Sequence, residues 1–133
     1  MKLRNLLFKD NDDFETKLEA IENASDLNAL MEIAKSDSDY RIRLKALEHI
    51  DDERFLFDVA NEDSNRNVML FAVEKIRSQD YLEKIAMGHS DCHIRISALK
   101  KIQSKSVLQS ISQNDSNRHV KKVASEILSA YRL

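Results

Sequence analysis

The chain has 133 residues, a formal net charge of −2, no proline, one glycine and one cysteine. This balance lacks the basic excess of polyanion-binding proteins, and a single cysteine cannot form an internal disulfide, which favours a reducing compartment. Strands joined by tight turns generally use Gly and Pro, so their scarcity favours an all-helical chain.

The first segment in chain order is an apolar stretch from Met1 to Phe8, which charged residues interrupt and follow. It is too short for a membrane span and too interrupted for a signal peptide. We therefore expect a cytoplasmic protein without a membrane-spanning segment.

Residues 27–52 show how one repeat unit is built. Asp26 and Asp39 are placed to cap two helices, and the polar run 36–39 between those helices competes for backbone hydrogen bonds. The apolar stripe of the first helix is Leu27, Leu30, Ile33 and Ala34, and that of the second is Ile42, Leu44, Ala46, Leu47 and Ile50. This pattern predicts a short antiparallel helix pair.

The same pattern returns every 26 residues, in repeats of about 1–26, 27–52, 53–78, 79–104 and 105–133. One column is alanine throughout, at positions 20, 46, 72, 98 and 124. A leucine column follows positions 30, 56, 82 and 108, and a mainly Val/Ile column follows positions 42, 68, 94 and 120. A fixed period of this length indicates a solenoid, because neither helix of a pair can bury its face alone.

Polar residues replace core residues in the outermost repeats. Arg4 stands in the leucine column of the first repeat, and Lys122 replaces an apolar residue in the last. Terminal repeats of a solenoid need such polar faces. We therefore expect a complete array of five repeats and about ten helices.

The second helices share a further pattern, in which an Asp precedes Ile or Val, then Arg or Lys, then Ala. It reads Asp37, Ile42-Arg43, Ala46-Leu47, and again Asp115, Val120-Lys121, Ala124. This pattern resembles the HEAT-like repeat family, especially its compact bacterial and archaeal arrays, and covers essentially the whole chain. The resemblance implies one domain, a right-handed α-solenoid of five HEAT-like helical hairpins.

The resemblance also implies a hydrogen-bonded ladder of Asp and basic residues between neighbouring repeats. The basic ladder positions are Lys17, Arg43, Arg95 and Lys121, whose role is then structural. The chain departs from the pattern at Met69, which replaces a basic residue, and at Asn11 and His89, which replace the Asp.

In HEAT-like solenoids the second helices usually line the concave side. At 100° per residue, their apolar stripe leaves positions 41, 45, 48 and 52, and the equivalents in other repeats, pointing away from the core. Phe71 is central on this face and is either a binding anchor or packed against a neighbour. The predicted partner-binding residues are Arg41, Lys45, Phe71, Glu74, His93, Lys100 and His119.

Net charge also changes along the chain, from −3 in the first repeat to +3 in the last. This gradient favours a ligand of matching polarity or weak head-to-tail self-association of otherwise monomeric protein, unless the faces are simply solvated.

The leading hypothesis is a non-catalytic scaffold that binds a protein or peptide and needs no cofactor. The alternative is nucleic-acid binding through the basic C-terminal half, at Arg95, Lys100, Lys101, Arg118, His119, Lys121 and Lys122. A third hypothesis, an enzyme accessory subunit or lyase-like chaperone similar to phycobilin-lyase-type HEAT relatives, would need a tetrapyrrole or another cofactor.

The run His89, Cys92, His93 suggests zinc, but its members fall on different elements and no second cluster completes a tetrahedral set. We therefore predict neither a metal site nor a catalytic residue.

Overall fold

The computed structural model describes residues 3–131, and the side chains of residues 5–131. Within this range the chain is helical and contains no strand, which confirms the predicted all-α class. A 3-10 helix, Leu3–Leu6, precedes nine α-helices: α1 Phe14–Glu22, α2 Leu27–Ser36, α3 Tyr40–Leu47, α4 Glu53–Glu62, α5 Arg66–Lys75, α6 Gln79–Gly88, α7 Cys92–Leu99, α8 Lys105–Asn114 and α9 Arg118–Tyr131. The 3-10 helix stands where the first helix of repeat one was expected.

A capping residue occurs every 13 positions and sets where each α-helix begins. In α4, for example, an Asp52 side-chain oxygen accepts a hydrogen bond from the Phe55 N–H at 2.9 Å. The nine caps are Asp13, Asp26, Asp39, Asp52, Asn65, Ser78, Asp91, Ser104 and Asn117. Replacing such a cap by alanine typically costs about 1 kcal/mol. The period of 26 is therefore two capped helices.

The chain divides between Phe71 and Ala72 into two compact units, here called unit 1 (residues 1–71) and unit 2 (residues 72–133). In unit 1, α3 packs against α1 and α2, and the 3-10 helix packs against α2. In unit 2, α7 packs against α6 and α9, and α8 packs against α9. The single repeat domain stays a prediction.

The repeated columns supply much of the buried core. Ala46, Ala72, Ala98 and Ala124 are fully buried, whereas Ala20 is half-buried. The leucine and Val/Ile columns are buried at Leu30, Leu56, Leu82, Leu108, Ile42, Val68, Ile94 and Val120.

One core assignment is wrong, because Leu27 is 48% exposed. Leu27 is the first residue of α2, and the buried face of that helix begins at Ala29. Of the two polar residues expected on the faces of the outermost repeats, Lys122 is exposed, and the side chain of Arg4 lies outside the described residues.

None of the helices in the described part of the chain combines the length and the apolar character that crossing a bilayer requires.

Candidate partner-binding surface

Three buried cations each bind a carboxylate 20 residues further along the chain. The pairs are Lys17–Asp37, Arg43–Asp63 and Arg95–Asp115. Arg43 is bidentate, with Nε and Nη2 donating to the two Asp63 oxygens at 2.9 and 3.0 Å. Its Nη1 also donates to the Asp37 carbonyl at 2.8 Å. Each cation is at most 9% exposed, so these side chains hold the structure together rather than face a ligand.

The ladder carboxylates also organise the loops in which they lie. Asp63 Oδ1 accepts from the Asn65 N–H at 2.8 Å, and Asp37 and Asp115 make the equivalent bond. His89 takes over this function, because its Nδ1 accepts from the Asp91 N–H at 3.0 Å. The replacement of Asp by His at position 89 therefore preserves the hydrogen bond within the loop.

Lys121 occupies the fourth basic ladder position but does not share the predicted role. Its side chain is half-buried, and it has no carboxylate partner among the residues that the structure describes. The structural assignment thus applies to Lys17, Arg43 and Arg95 only.

Arg41 and Lys45 lie one turn apart on α3 in unit 1. The Arg41 guanidinium donates to both Asp39 oxygens, at 3.1 and 2.8 Å, and lies 4.3 Å from the centroid of the Phe14 ring. These hydrogen bonds lower the pKa of Asp39 and raise the pKa of Arg41. Lys45 is half-buried, and its Nζ lies 3.6 Å from Glu48. Arg41 is therefore a preoriented cation rather than a flexible one.

Phe71 is half-buried on α5. Its role as a binding anchor stays a prediction. Large aromatic side chains that a partner can desolvate are frequent anchors of interfaces.

The other four predicted residues belong to unit 2, and all are exposed: Glu74, His93, Lys100 and His119. His93 and His119 each lie two residues after an N-cap, and their backbone N–H groups bond to Asp91 and Asn117 at 2.8 and 2.9 Å. Both imidazoles are consequently presented at a helix start. The predicted set thus divides into three residues in unit 1 and four in unit 2.

Lys101 has a structural role that the sequence analysis missed. Its Nζ donates to the carbonyls of Val73, Glu74 and Ile76 at 2.9, 2.7 and 2.6 Å. A cation at a helix C-terminus satisfies carbonyls that have no partner within the helix. These acceptors lie 25 to 28 residues earlier in the chain, so no local pattern could have indicated the contact.

The side chains of unit 2 that lie close enough together to be candidate metal ligands are not the same three as in the run noted in the sequence. Ligand atoms of Asp91, Cys92 and His93 lie within 4.8 Å of one another, while His89 Nδ1 is used by the Asp91 N–H. A structural zinc site takes four ligands, whereas this group supplies three.

Comparison with protein-family models, with curated proteins and with solved structures finds no match for this chain.

Proposed function

We propose that this protein is a non-catalytic scaffold that binds a protein or peptide partner, and that its helix pairs form a right-handed solenoid of five HEAT-like hairpins. The observation that supports this proposal is a division among the polar side chains of the second helices. One set recurs and is buried in ion pairs, whereas the other is exposed and changes from repeat to repeat.

On α3 and α7 the two sets lie only two residues apart. The buried set contains Arg43 and Arg95, and the equivalent exposed positions carry Arg41 and His93. Repeat scaffolds vary exposed positions in this way to acquire a ligand while the packing between repeats stays constant. The proposed binding residues are therefore the exposed or half-buried set: Arg41, Lys45, Phe71, Glu74, His93, Lys100 and His119.

Phe71 is the proposed apolar anchor of this surface. Interfaces generally depend on a few large side chains that become desolvated, surrounded by polar groups that set specificity. The half-buried ring of Phe71 offers apolar area that a partner can cover at a small cost in side-chain entropy, because packing already restrains it.

Nucleic-acid binding is the second candidate, because unit 2 contains eleven basic and six acidic residues, a net charge of +5. Two of the seven predicted contacts are already used inside unit 2, since Arg95 binds Asp115 and Lys101 binds backbone carbonyls. The basic residues left for phosphate are Lys100, Arg118, Lys121 and Lys122, with His119 beside them. This smaller set weakens the second candidate without removing it.

The test is capture of partners from native lysate with and without nuclease, using wild type, Phe71→Ala and Phe57→Ala. Phe57 is a matched control, because it is also a half-buried phenylalanine of unit 1 but lies on a first helix, α4. We expect a protein that survives nuclease, is lost with Phe71→Ala and is retained with Phe57→Ala.

The captured protein is then purified and titrated directly at two salt concentrations. An interface anchored on Phe71 should show a shallow salt dependence, whereas phosphate contacts release counterions and give a steep one. Recovery that disappears with nuclease and ignores Phe71→Ala would replace the scaffold proposal by the nucleic-acid candidate.

A further inference from the structure

We propose that four side chains at the starts of α7 and α9 in unit 2 bind one zinc ion: Asp91, Cys92, His93 and His119. Zinc binding would require no partner and would not involve Phe71, so it goes beyond the proposed scaffold function. The run noted in the sequence contained His89, whereas the structure brings Asp91 to Cys92 and His93 instead.

The group at the start of α7 supplies three different kinds of donor atom. A carboxylate oxygen of Asp91, the sulfur of Cys92 and an imidazole nitrogen of His93 lie within 4.8 Å of one another. Zinc is bound in proteins by thiolate, imidazole and carboxylate ligands, whereas calcium and magnesium take oxygen ligands. This combination of donor atoms therefore favours zinc.

Hydrogen bonds around the group hold its backbone in place. Asp91 Oδ1 accepts from the His93 N–H at 2.8 Å, and the Asp91 N–H donates to His89 Nδ1 at 3.0 Å. Asp91 and Cys92 are half-buried and His93 is exposed, so an ion can reach the group from solvent. Ligands that are ordered before an ion binds lose less entropy when it does.

This combination of ligands occurs at one of five equivalent helix starts. From the cap to the second helical residue, the second helices begin with Asp13-Phe14-Glu15, Asp39-Tyr40-Arg41, Asn65-Arg66-Asn67, Asp91-Cys92-His93 and Asn117-Arg118-His119. Three metal-ligating side chains occur together at the fourth start only. The group is therefore an addition to the repeat pattern rather than a part of it.

Arg95 holds the start of α9 beside the start of α7. Its Nη1 donates to the His89 carbonyl at 2.8 Å, in the loop before α7. Its Nε and Nη2 donate to the Asp115 carboxylate at 3.1 Å, in the loop before α9. The two helices also pack against each other. His93 and His119 occupy equivalent positions at these two starts, each two residues after its N-cap, and both are exposed.

His119 can therefore complete the four ligands of a tetrahedral site. Packed helices lie about 8–10 Å apart, a distance that two imidazoles can span by binding one ion between them. The His119 imidazole lies outside the group of donor atoms at α7, so it has to rotate toward the ion. Exposed side chains change rotamer rapidly, which makes this adjustment easy. A bound ion would also fix the orientation of two exposed side chains of the proposed binding surface.

The test is titration of the purified full chain with Co²⁺ and then Zn²⁺, in anaerobic buffer that contains no thiol. Tetrahedral Co²⁺ absorbs strongly in the visible range, and a cobalt–thiolate bond adds a charge-transfer band in the near ultraviolet. We expect both signals to saturate at one ion per chain. Zn²⁺, which favours tetrahedral sites with thiolate and imidazole ligands, should displace Co²⁺ and remove both signals.

Four single substitutions each remove one ligand: Asp91→Asn, Cys92→Ser, His93→Ala and His119→Ala. Asp91→Asn retains a capping oxygen for α7, and Cys92→Ser should abolish the charge-transfer band. Each should weaken Zn²⁺ binding, measured by competition with a chromophoric chelator, by more than about tenfold, since loss of an outer-shell partner alone costs about 10- to 100-fold. His49→Ala is the matched control, because His49 is an exposed histidine of unit 1, and it should bind as wild type does. Far-UV circular dichroism of every variant establishes that its helices are intact.

Three results would overturn the proposal. These are the absence of a cobalt–thiolate band at saturation, a Zn²⁺ affinity that Cys92→Ser and His93→Ala do not change, and an equal loss of affinity in His49→Ala. An affinity that falls in the three α7 variants but not in His119→Ala would overturn the assignment of the fourth ligand, which a water molecule would then provide.

Discussion

Arg41 and Arg43 provide a direct test of what holds unit 1 together. They lie two residues apart on α3, and each forms a bidentate pair with an aspartate. The Arg41 side chain is 57% exposed, whereas that of Arg43 is 10% exposed. Arg41→Met and Arg43→Met therefore make the same chemical change in two different dielectric environments.

The free energy of unfolding that the two variants lose should differ severalfold. Arg43→Met leaves Asp63, whose side chain is 5% exposed, without its cation, and removes the bond to the Asp37 carbonyl. Removing one partner of a buried pair costs about 3–5 kcal/mol. Arg41→Met loses an exposed pair and a cation–π contact, which together contribute about 1 kcal/mol. Arg43→Lys keeps the charge but loses the bidentate geometry, so its cost should lie between these values.

The measurement is urea unfolding followed by circular dichroism, combined with hydrogen exchange of the α3 amides to report on unit 1 locally. The double variant Arg43→Met/Asp63→Asn should recover much of the loss, because it removes the uncompensated charge while the Asn oxygen can still accept from the Asn65 N–H. Equal losses for Arg41→Met and Arg43→Met would refute the reasoning, since burial would then not determine the strength of the pair.

Three further predictions concern caps and core. Hydrogen bonding by Arg41 lowers the pKa of Asp39. The ionised Asp39 carboxylate therefore stabilises the folded state above about pH 4, and this stabilisation is lost as pH falls through the lowered pKa. Asp39→Asn, which retains a capping oxygen, should flatten the acid side of the curve of thermal midpoint against pH. Ala72→Leu should cost about 1–3 kcal/mol by overpacking in urea unfolding, and Ala20→Leu, in the half-buried member of the column, should cost less. Lys101→Met should cost about 1–3 kcal/mol by the same assay, because three carbonyls lose their donor, whereas Lys100→Met should stay within about 0.5 kcal/mol.

The helices could be read from the sequence because their starts are encoded locally. A capping side chain accepts from an N–H only two or three residues away, so a recurring Asp, Asn or Ser marks the boundary by itself. The ladder was predicted only through the HEAT-like resemblance, and the structure shows its pairs at a constant separation of 20 residues in Arg43–Asp63 and Arg95–Asp115.

Contacts that do not recur at a fixed spacing could not be predicted from the sequence pattern. The stacking of Arg41 on Phe14 and the binding of Lys101 to the Glu74 carbonyl each occur once in the described residues. They depend on where helix ends meet in three dimensions, and the residue types alone are common on any helix surface. For the same reason, the half-burial of Phe71 was not decided by its position on the helix.

The ladder pattern changes at Met69, which cannot form an ion pair, and at His89, which is not a carboxylate. Both departures could be recognised from the sequence. The hydrogen bond that His89 Nδ1 accepts from the Asp91 N–H could not, because it depends on the conformation of the loop.

The basic residues show why charge should be counted after internal partners are assigned. Arg95 and Lys101 raise the formal charge of unit 2, yet a carboxylate and three backbone carbonyls already bind them. Lys121 occupies the same column as Arg95, but it is half-buried and has no carboxylate partner among the described residues. The formal charge of unit 2 therefore indicates which cations an external ligand could bind only after these internal bonds are assigned.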